Sequence, residues 1–369
     1  MTSQIVLFGA TGFTGDLTAR ELVSRGVRPV LAGRDAHRLA LLAQELGGLE
    51  TRTADVADPE SVAALVGAGD VLISTVGPFA RWGAPAVEAA IGAGAHYLDS
   101  TGEGTFIRQI FEEYGPRAAQ AGVGLLTAMG YDWVPGNLAG ALALRDAGPD
   151  AVRVVVGYFT TGPASADAMS GGTRASAAGM MGEPSYTFRD GALITERGAR
   201  RVASFETAPG RRASAMSVGA SEQFTLPRLH ATLEEVDTYL GWFGPATRAV
   251  QAFSAVTAAV TRIGPVRDGM KAALAKVPGS TGGPDAEARA ATGSVVVAHA
   301  QDAAGRTLAS VRLTGPNAYD LTAGFLAWGA ERAAAGGLSG TGALGPAEAF
   351  GLDEFERGAA RCGLIRSAA

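Results

Sequence analysis

A single cysteine, Cys362, in 369 residues excludes an intramolecular disulfide and makes a reducing, cytoplasmic setting the expected one. The four histidines, His37, His96, His230 and His299, are too widely scattered for metal-ligand spacing, so no metal is expected. No uninterrupted apolar run approaches the roughly 18 residues of a membrane span. Charged residues make up only 18% of the chain and its net charge is −5, which gives nucleic acid no general attraction. Short basic clusters at Arg197 to Arg201 and at Arg211-Arg212 read as solvated surface. Neither a Ser/His/Asp arrangement nor a nucleophile elbow is visible, so hydrolase chemistry is not expected. The first apolar strand follows Met1 so closely that no leader is expected either.

Glycine, by contrast, is plentiful at 52 residues, and one group of glycines stands in an informative place. The apolar run Ile5 to Phe8 leads into Gly9-Ala10-Thr11-Gly12-Phe13-Thr14-Gly15 and then into a helical stretch ending at Ser24. A strand, a glycine turn and a helix in this order form a nucleotide site. One glycine permits the turn, the next admits a pyrophosphate to the backbone, and the third lets helix and strand pack closely. The helix start offers N–H groups to the phosphates.

The first 130 residues alternate strands with helices. Strands are expected at Ile5 to Phe8, Pro29 to Ala32, Leu49 to Thr53, Val71 to Ser74, Ala95 to Leu98 and Gly124 to Thr127. The pattern predicts an α/β fold with a Rossmann-type doubly wound parallel sheet. Further along, short strands separated by turns predict a second, α+β domain on a mainly antiparallel sheet. Helical sequence returns over Ala246 to Val277, broken at Gly264-Pro265. A hairpin of Val295 to Ala300 with Leu308 to Leu313 follows, then a long helix over Ala318 to Ala335 and a short one at Pro346 to Phe350. The expected organisation is a nucleotide-binding domain at 1–137, a substrate or oligomerisation domain at 138–316, and C-terminal helices at 317–369 that return to the first domain. An antiparallel sheet of this class can extend across a homodimer.

The end of the second strand selects the nucleotide. There Arg34 can neutralise a 2′-phosphate, which favours NADP(H). Asp35 has nearly the spacing of an NAD-type acid but directly precedes a helix, where it suits an N-cap. Asp55, Ser74-Thr75-Val76-Gly77-Pro78 and Asp99 end the next three strands and are candidate cofactor contacts, since ligands of open α/β sheets bind beyond the carboxyl ends of strands. Asp55 serves equally as a turn residue.

Taken together, the glycine loop, Ala32-Gly33-Arg34, Ser74 to Phe79 and His96 to Glu103 resemble the saccharopine dehydrogenase-like NADP-binding oxidoreductases. Gly130 to Pro135, Ser170 to Thr173 and Tyr319 to Ala323 extend the resemblance along nearly the whole chain. The resemblance implies NADP-dependent reduction by a two-domain protein. Members include saccharopine reductases, acting on an imine, and trans-acting enoyl reductases, acting on a carbon–carbon double bond in polyketide or lipid assembly. Trp133 and Gly136-Asn137 depart from the Ser and Ser-Asp of the enoyl reductase loop, and no multi-arginine grip for an amino-dicarboxylate stands out.

Tyr131 and Asp132, after the sixth strand, are candidates to donate or relay a proton; packing of the one and helix capping by the other are the alternatives. Ser170, Thr173 and Arg174 are candidate contacts to a small-molecule or carrier-bound substrate. Three readings stay open: an enoyl reductase, an imine reductase, and a catalytically silent NADPH-binding partner. Surface attachment to a membrane through Leu240 to Phe243 and the following helix is not expected, because that helix suits a core position.

Overall fold

The computed structural model describes residues 3–163, 170–171, 183–260 and 282–367. Two compact units divide the chain: Met1–Gly102, Phe106–Val134 and Tyr319–Cys362 form the first, and Glu103–Thr105, Pro135–Ala318 and Gly363–Ala369 the second.

The first unit is built on seven strands, β1 (Ile5–Phe8), β2 (Val30–Gly33), β3 (Thr51–Thr53), β4 (Val71–Ser74), β5 (His96–Asp99), β6 (Gly124–Leu126) and β15 (Gly342–Ala343). Their order is β15-β6-β5-β4-β1-β2-β3, every pair parallel. The central strands β1, β2 and β4 are buried along their whole length, as expected of a covered parallel sheet. Crossovers run through α1 (Phe13–Ser24), α2 (Ala36–Glu45), α3 (Pro59–Ala63) and the pair α4 (Phe79–Trp82) and α5 (Ala84–Ala93). The next crossover is a continuous run in sequence but is divided into α6 (Gly104–Gln109), a π turn (Ile110–Tyr114) and α7 (Gly115–Gln120). The sequence predicts six of the seven strands. Only β15, two residues long and led by a glycine at positive φ, carries no strand pattern. His96 is a satisfied strand histidine, its Nδ1 accepting from the Gly124 N–H at 3.0 Å.

The second unit begins in α8 (Val134–Ala147) and centres on β7 (Arg153–Thr161), β8 (Pro184–Arg189), β9 (Ala192–Arg197), β10 (Val202–Ala208), β11 (Arg211–Val218), β12 (Glu235–Leu240), β13 (Gly293–Gln301), β14 (Thr307–Gly315) and β16 (Ile365–Arg366). The main path is β10-β11-β12-β7-β13-β14-β16, with β8 pairing β12 and β9. Apart from the parallel pair β12 and β7, the described pairs are antiparallel. Val155, Phe159, Phe205, Tyr239, Val295 and Val297 fill one face as a core cluster. The β13–β14 turn is tied by Asp302, whose carboxylate accepts from the N–H groups of Ala304 and Arg306.

Two features of this unit differ from expectation. Leu240 and the segment before it form β12, a buried strand that no sequence pattern marks. The helix that follows, α10 (Thr247–Val260; α9 is Glu222–Leu229), packs by one side only and leaves Phe253 60% and Val256 61% exposed, so the expected core position is corrected. The rest of the expected helix to Val277, with Gly264-Pro265, lies outside the described residues. Among the described residues no helix is long and apolar enough to cross a membrane.

Candidate active site

The glycine loop is shaped by contacts that admit no side chain. Gly9 has φ +90°, and a Cβ there would stand 2.7 Å from Thr75 Oγ1. A Cβ on Gly15 would meet the Gly9 carbonyl oxygen at 2.2 Å, so α1 can start this close to β1 only with glycine at that position. Gly12 caps α1 without a side-chain hydrogen bond, and its own N–H donates to the Gly9 carbonyl at 2.9 Å. Thr75 fastens the end of β4 to the loop, its N–H donating to the Phe8 carbonyl at 2.9 Å and its hydroxyl lying 3.2 Å from the Phe8 and Gly9 carbonyls. Thr11, Phe13 and Thr14 are half-buried and Gly12 is exposed, which leaves a backbone cradle open to a diphosphate.

Arg34 is exposed at the end of β2, and the carboxylate of Asp35 accepts from the Arg38 N–H at 3.0 Å as the N-cap of α2. Arg38, which no sequence motif marks, donates from Nη2 to the Thr11 carbonyl at 2.7 Å. Two exposed guanidinium groups therefore flank the β2 end while its acid is engaged. Asp55 orders its own turn by accepting from the Ala57 N–H at 2.9 Å. Ser74 and Asp99 are fully buried at the ends of β4 and β5; Val76 and Pro78 are half-buried and Gly77 is exposed.

From the other side, α11 (Ala318–Ala334) reaches this region through residues 190 and more positions away in sequence. Tyr319 meets Phe13 edge to face at 5.0 Å between ring centroids. Thr322 Oγ1 accepts from the Tyr131 N–H at 3.0 Å, and a Cβ on Gly130 would sit 3.0 Å from its methyl. Tyr319 and Thr322 lie in the Tyr319 to Ala323 segment that the resemblance marks, but the resemblance gave them no role; the fold brings them to this loop.

The loop after β6 carries both proton-transfer candidates. Tyr131 is 2% exposed. Asp132 is half-buried, with Oδ1 enclosed and without a hydrogen-bond partner among the described residues, and Oδ2 close to the Gly102 backbone. Burial pushes its carboxyl up to about 7. Asp132 thus caps no helix.

Gly136 and Asn137 belong to the second unit, where their identity has a packing cause. The Gly136 N–H donates to the Tyr158 hydroxyl at 2.7 Å, and a Cβ would stand 2.1 Å from that oxygen. Tyr158 donates onward to Glu222 Oε1 at 2.7 Å, and the Asn137 amide bonds Ser221 at 2.8 Å and also Thr225. Ser170 is buried in the second unit, while Thr173 and Arg174 lie outside the described residues.

Comparison with known proteins agrees with the geometry. The family model of the saccharopine dehydrogenase NADP-binding domain matches residues 5–126. A trans-acting enoyl reductase of Mycobacterium tuberculosis is 39% identical over 140 residues, covering 36% of this chain and 34% of the relative. One from Mycobacterium ulcerans is 38% identical over 141 residues, covering 37% and 34%. The matched stretch thus spans about a third of the length of these curated relatives. The solved saccharopine dehydrogenase (L-Glu forming) of Saccharomyces cerevisiae shares the fold with a TM-score of 0.63 over 99% of both chains, at 14% identity. Residues 5–126 are thus an NADP-binding domain of the saccharopine dehydrogenase type, and the chain as a whole shares the saccharopine dehydrogenase fold.

Proposed function

We propose that this chain is an NADPH-dependent reductase of an unsaturated small-molecule or carrier-bound intermediate, an enoyl C=C, in which Asp132 supplies the proton. The observation that carries the reading is the enclosed Asp132 carboxyl, raised to about 7, at the carboxyl end of a strand in the sheet that holds the glycine loop. When bound, NADPH supplies the hydride, and the protein must bind, orient and protonate. Gly9, Thr11, Gly12, Phe13, Thr14 and Gly15 receive the diphosphate, and Arg34, with Arg38 beside it, receives the 2′-phosphate. Thr75, Val76, Gly77 and Pro78 line the ribose and nicotinamide side, while Asp55, Ser74 and Asp99 support the strand ends. Tyr131, on the same loop, is the second proton-relay residue. Ser170, Thr173 and Arg174 are the substrate contacts.

The named activity of the Mycobacterium relatives supports a C=C acceptor over a C=N one. The test is single-turnover oxidation of NADPH with enoyl thioesters and, in parallel, cyclic imines. Oxidation by the thioesters that drops at least about a hundredfold in Asp132→Asn is expected. Oxidation by imines alone would replace the acceptor, unchanged turnover in Asp132→Asn would remove the acid, and tight NADPH binding without turnover by either acceptor would leave a cofactor-binding partner protein.

A further inference from the structure

We propose that Asp99 is the positioning residue for the Asp132 carboxyl, fastening both backbone segments that enclose it; the inference rests on Asp132 as the proton donor. Asp99 ends β5 and is completely buried. Its Oδ1 accepts from the N–H groups of Thr101 at 2.9 Å and Ala128 at 2.8 Å, and its Oδ2 accepts from the Thr127 hydroxyl at 2.8 Å. Its main-chain carbonyl takes the Met129 N–H at 2.7 Å. Four hydrogen bonds from one residue therefore fix two stretches of chain at once.

The first stretch is Thr101-Gly102. Gly102 forms one wall of the Asp132 pocket, since a Cβ on it would come within 3.0 Å of Asp132 Oδ2. The second is the loop after β6, whose register Asp99 sets at Thr127, Ala128 and Met129. Ala128 is held at φ +58°, a left-handed conformation that disfavours a residue with a Cβ, and its N–H is one of those that Asp99 captures. The Ala128 carbonyl then accepts from the Trp133 N–H at 3.1 Å, immediately after Asp132. A continuous path of hydrogen bonds thus runs from the Asp99 carboxylate to the residue beside the acid. Tyr97, on the same strand, is the titratable neighbour of Asp99, and burial followed by the Asp99 charge pushes its phenol up. With both oxygens engaged and no exposure, Asp99 acts through the loop and not on the cofactor.

The experiment is titration of the Asp132 carboxyl by ¹³C NMR in the full chain labelled at aspartate, its resonance assigned by loss in Asp132→Asn. Asp99→Ala and Asp99→Asn are compared, with NADPH affinity from nicotinamide fluorescence alongside. In Asp99→Ala the midpoint of the Asp132 titration moves to a pH lower by about one or more as water enters, while NADPH affinity stays within about threefold. Asp99→Asn, whose amide can accept from both N–H groups and donate to Thr127, restores the wild-type titration. An Asp132 titration unmoved in Asp99→Ala overturns the proposal, as does failure of Asp99→Asn to restore it. Loss of NADPH affinity by more than about thirtyfold with Asp132 unmoved would instead make Asp99 a cofactor ligand. If Asp99→Ala does not fold, Thr127→Val removes the Oδ2 bond alone, and an Asp132 titration unchanged there overturns the proposal. None of these readouts uses turnover, so a wrong assignment of the proton donor, revealed by an active Asp132→Asn, is distinguished from failure of the positioning role.

Discussion

Asp35 accepts a hydrogen bond from the Arg38 N–H at 3.0 Å, and in capping α2 its Oδ1 is occupied. The cations Arg34 and Arg38 remain at the end of β2. Arg34→Ala should therefore weaken NADPH by roughly ten- to a hundredfold, the equivalent of about 1.5–3 kcal/mol for a charge-assisted contact, and leave NADH almost unchanged. Arg38→Ala should weaken both nucleotides, because its bond to the Thr11 carbonyl also holds the glycine loop. Fluorescence titrations with the two reduced nucleotides separate these outcomes; equal losses in Arg34→Ala would remove it from the 2′-phosphate.

Gly15→Ala should abolish tight NADPH binding and destabilise the chain by about 1–3 kcal/mol, because the added methyl must displace the Gly9 carbonyl from 2.2 Å. The same change at Gly92, where a Cβ meets nothing within 4 Å, should leave binding intact. Melting temperature and nucleotide titration of the two variants decide it. A Gly15→Ala variant as stable as the parent would contradict the close approach of α1 to β1.

How far the sequence can be read depends on where each interaction comes from. The parallel sheet is legible because apolar strands, glycine turns and helices recur locally, and the Asp35 cap can be anticipated from its place before α2. β12 is not legible. Its Asp237 is 1% exposed and breaks the apolar alternation, and it is tolerated because Arg153 of β7, Arg189 of β8 and Arg201 just before β10 reach it at 2.8–3.0 Å. Burial alone would raise that carboxyl, and the three guanidinium groups, Arg201 foremost, outweigh it and hold it below the usual range. The contacts of Tyr319 and Thr322 are not legible for a similar reason: the resemblance marks their segment, but the loops they touch lie far away in sequence.

The departure at Gly136 gives a test in the second unit. Gly136→Ser would drive a Cβ to 2.1 Å from the Tyr158 hydroxyl and 2.2 Å from Glu222 Oε1. Destabilisation of about 3 kcal/mol is expected, against a smaller loss for Tyr158→Phe, which keeps the volume and removes only the hydroxyl. Chemical denaturation of the variants measures both. A neutral Gly136→Ser would mean that the glycine reflects something other than packing.

Asp132 also governs stability against pH. Its carboxyl titrates at about 7 in the folded chain against 3.8 unfolded, so between these values the folded state holds the extra proton. Stability from this group is accordingly fullest below about pH 4, declines as pH rises toward 7, and is lost above that. Asp132→Asn carries no ionisable group there and escapes the loss. The variant should match the parent near pH 4 and exceed it at pH 8 by an amount on the order of a few kcal/mol, since every tenfold change in proton affinity on folding corresponds to about 1.4 kcal/mol. Denaturant midpoints at the two pH values provide the measurement. If the difference between variant and parent were the same at both, the Asp132 carboxyl would be ionising as an ordinary surface acid, and its fitness to hold a proton at neutral pH would be lost with it.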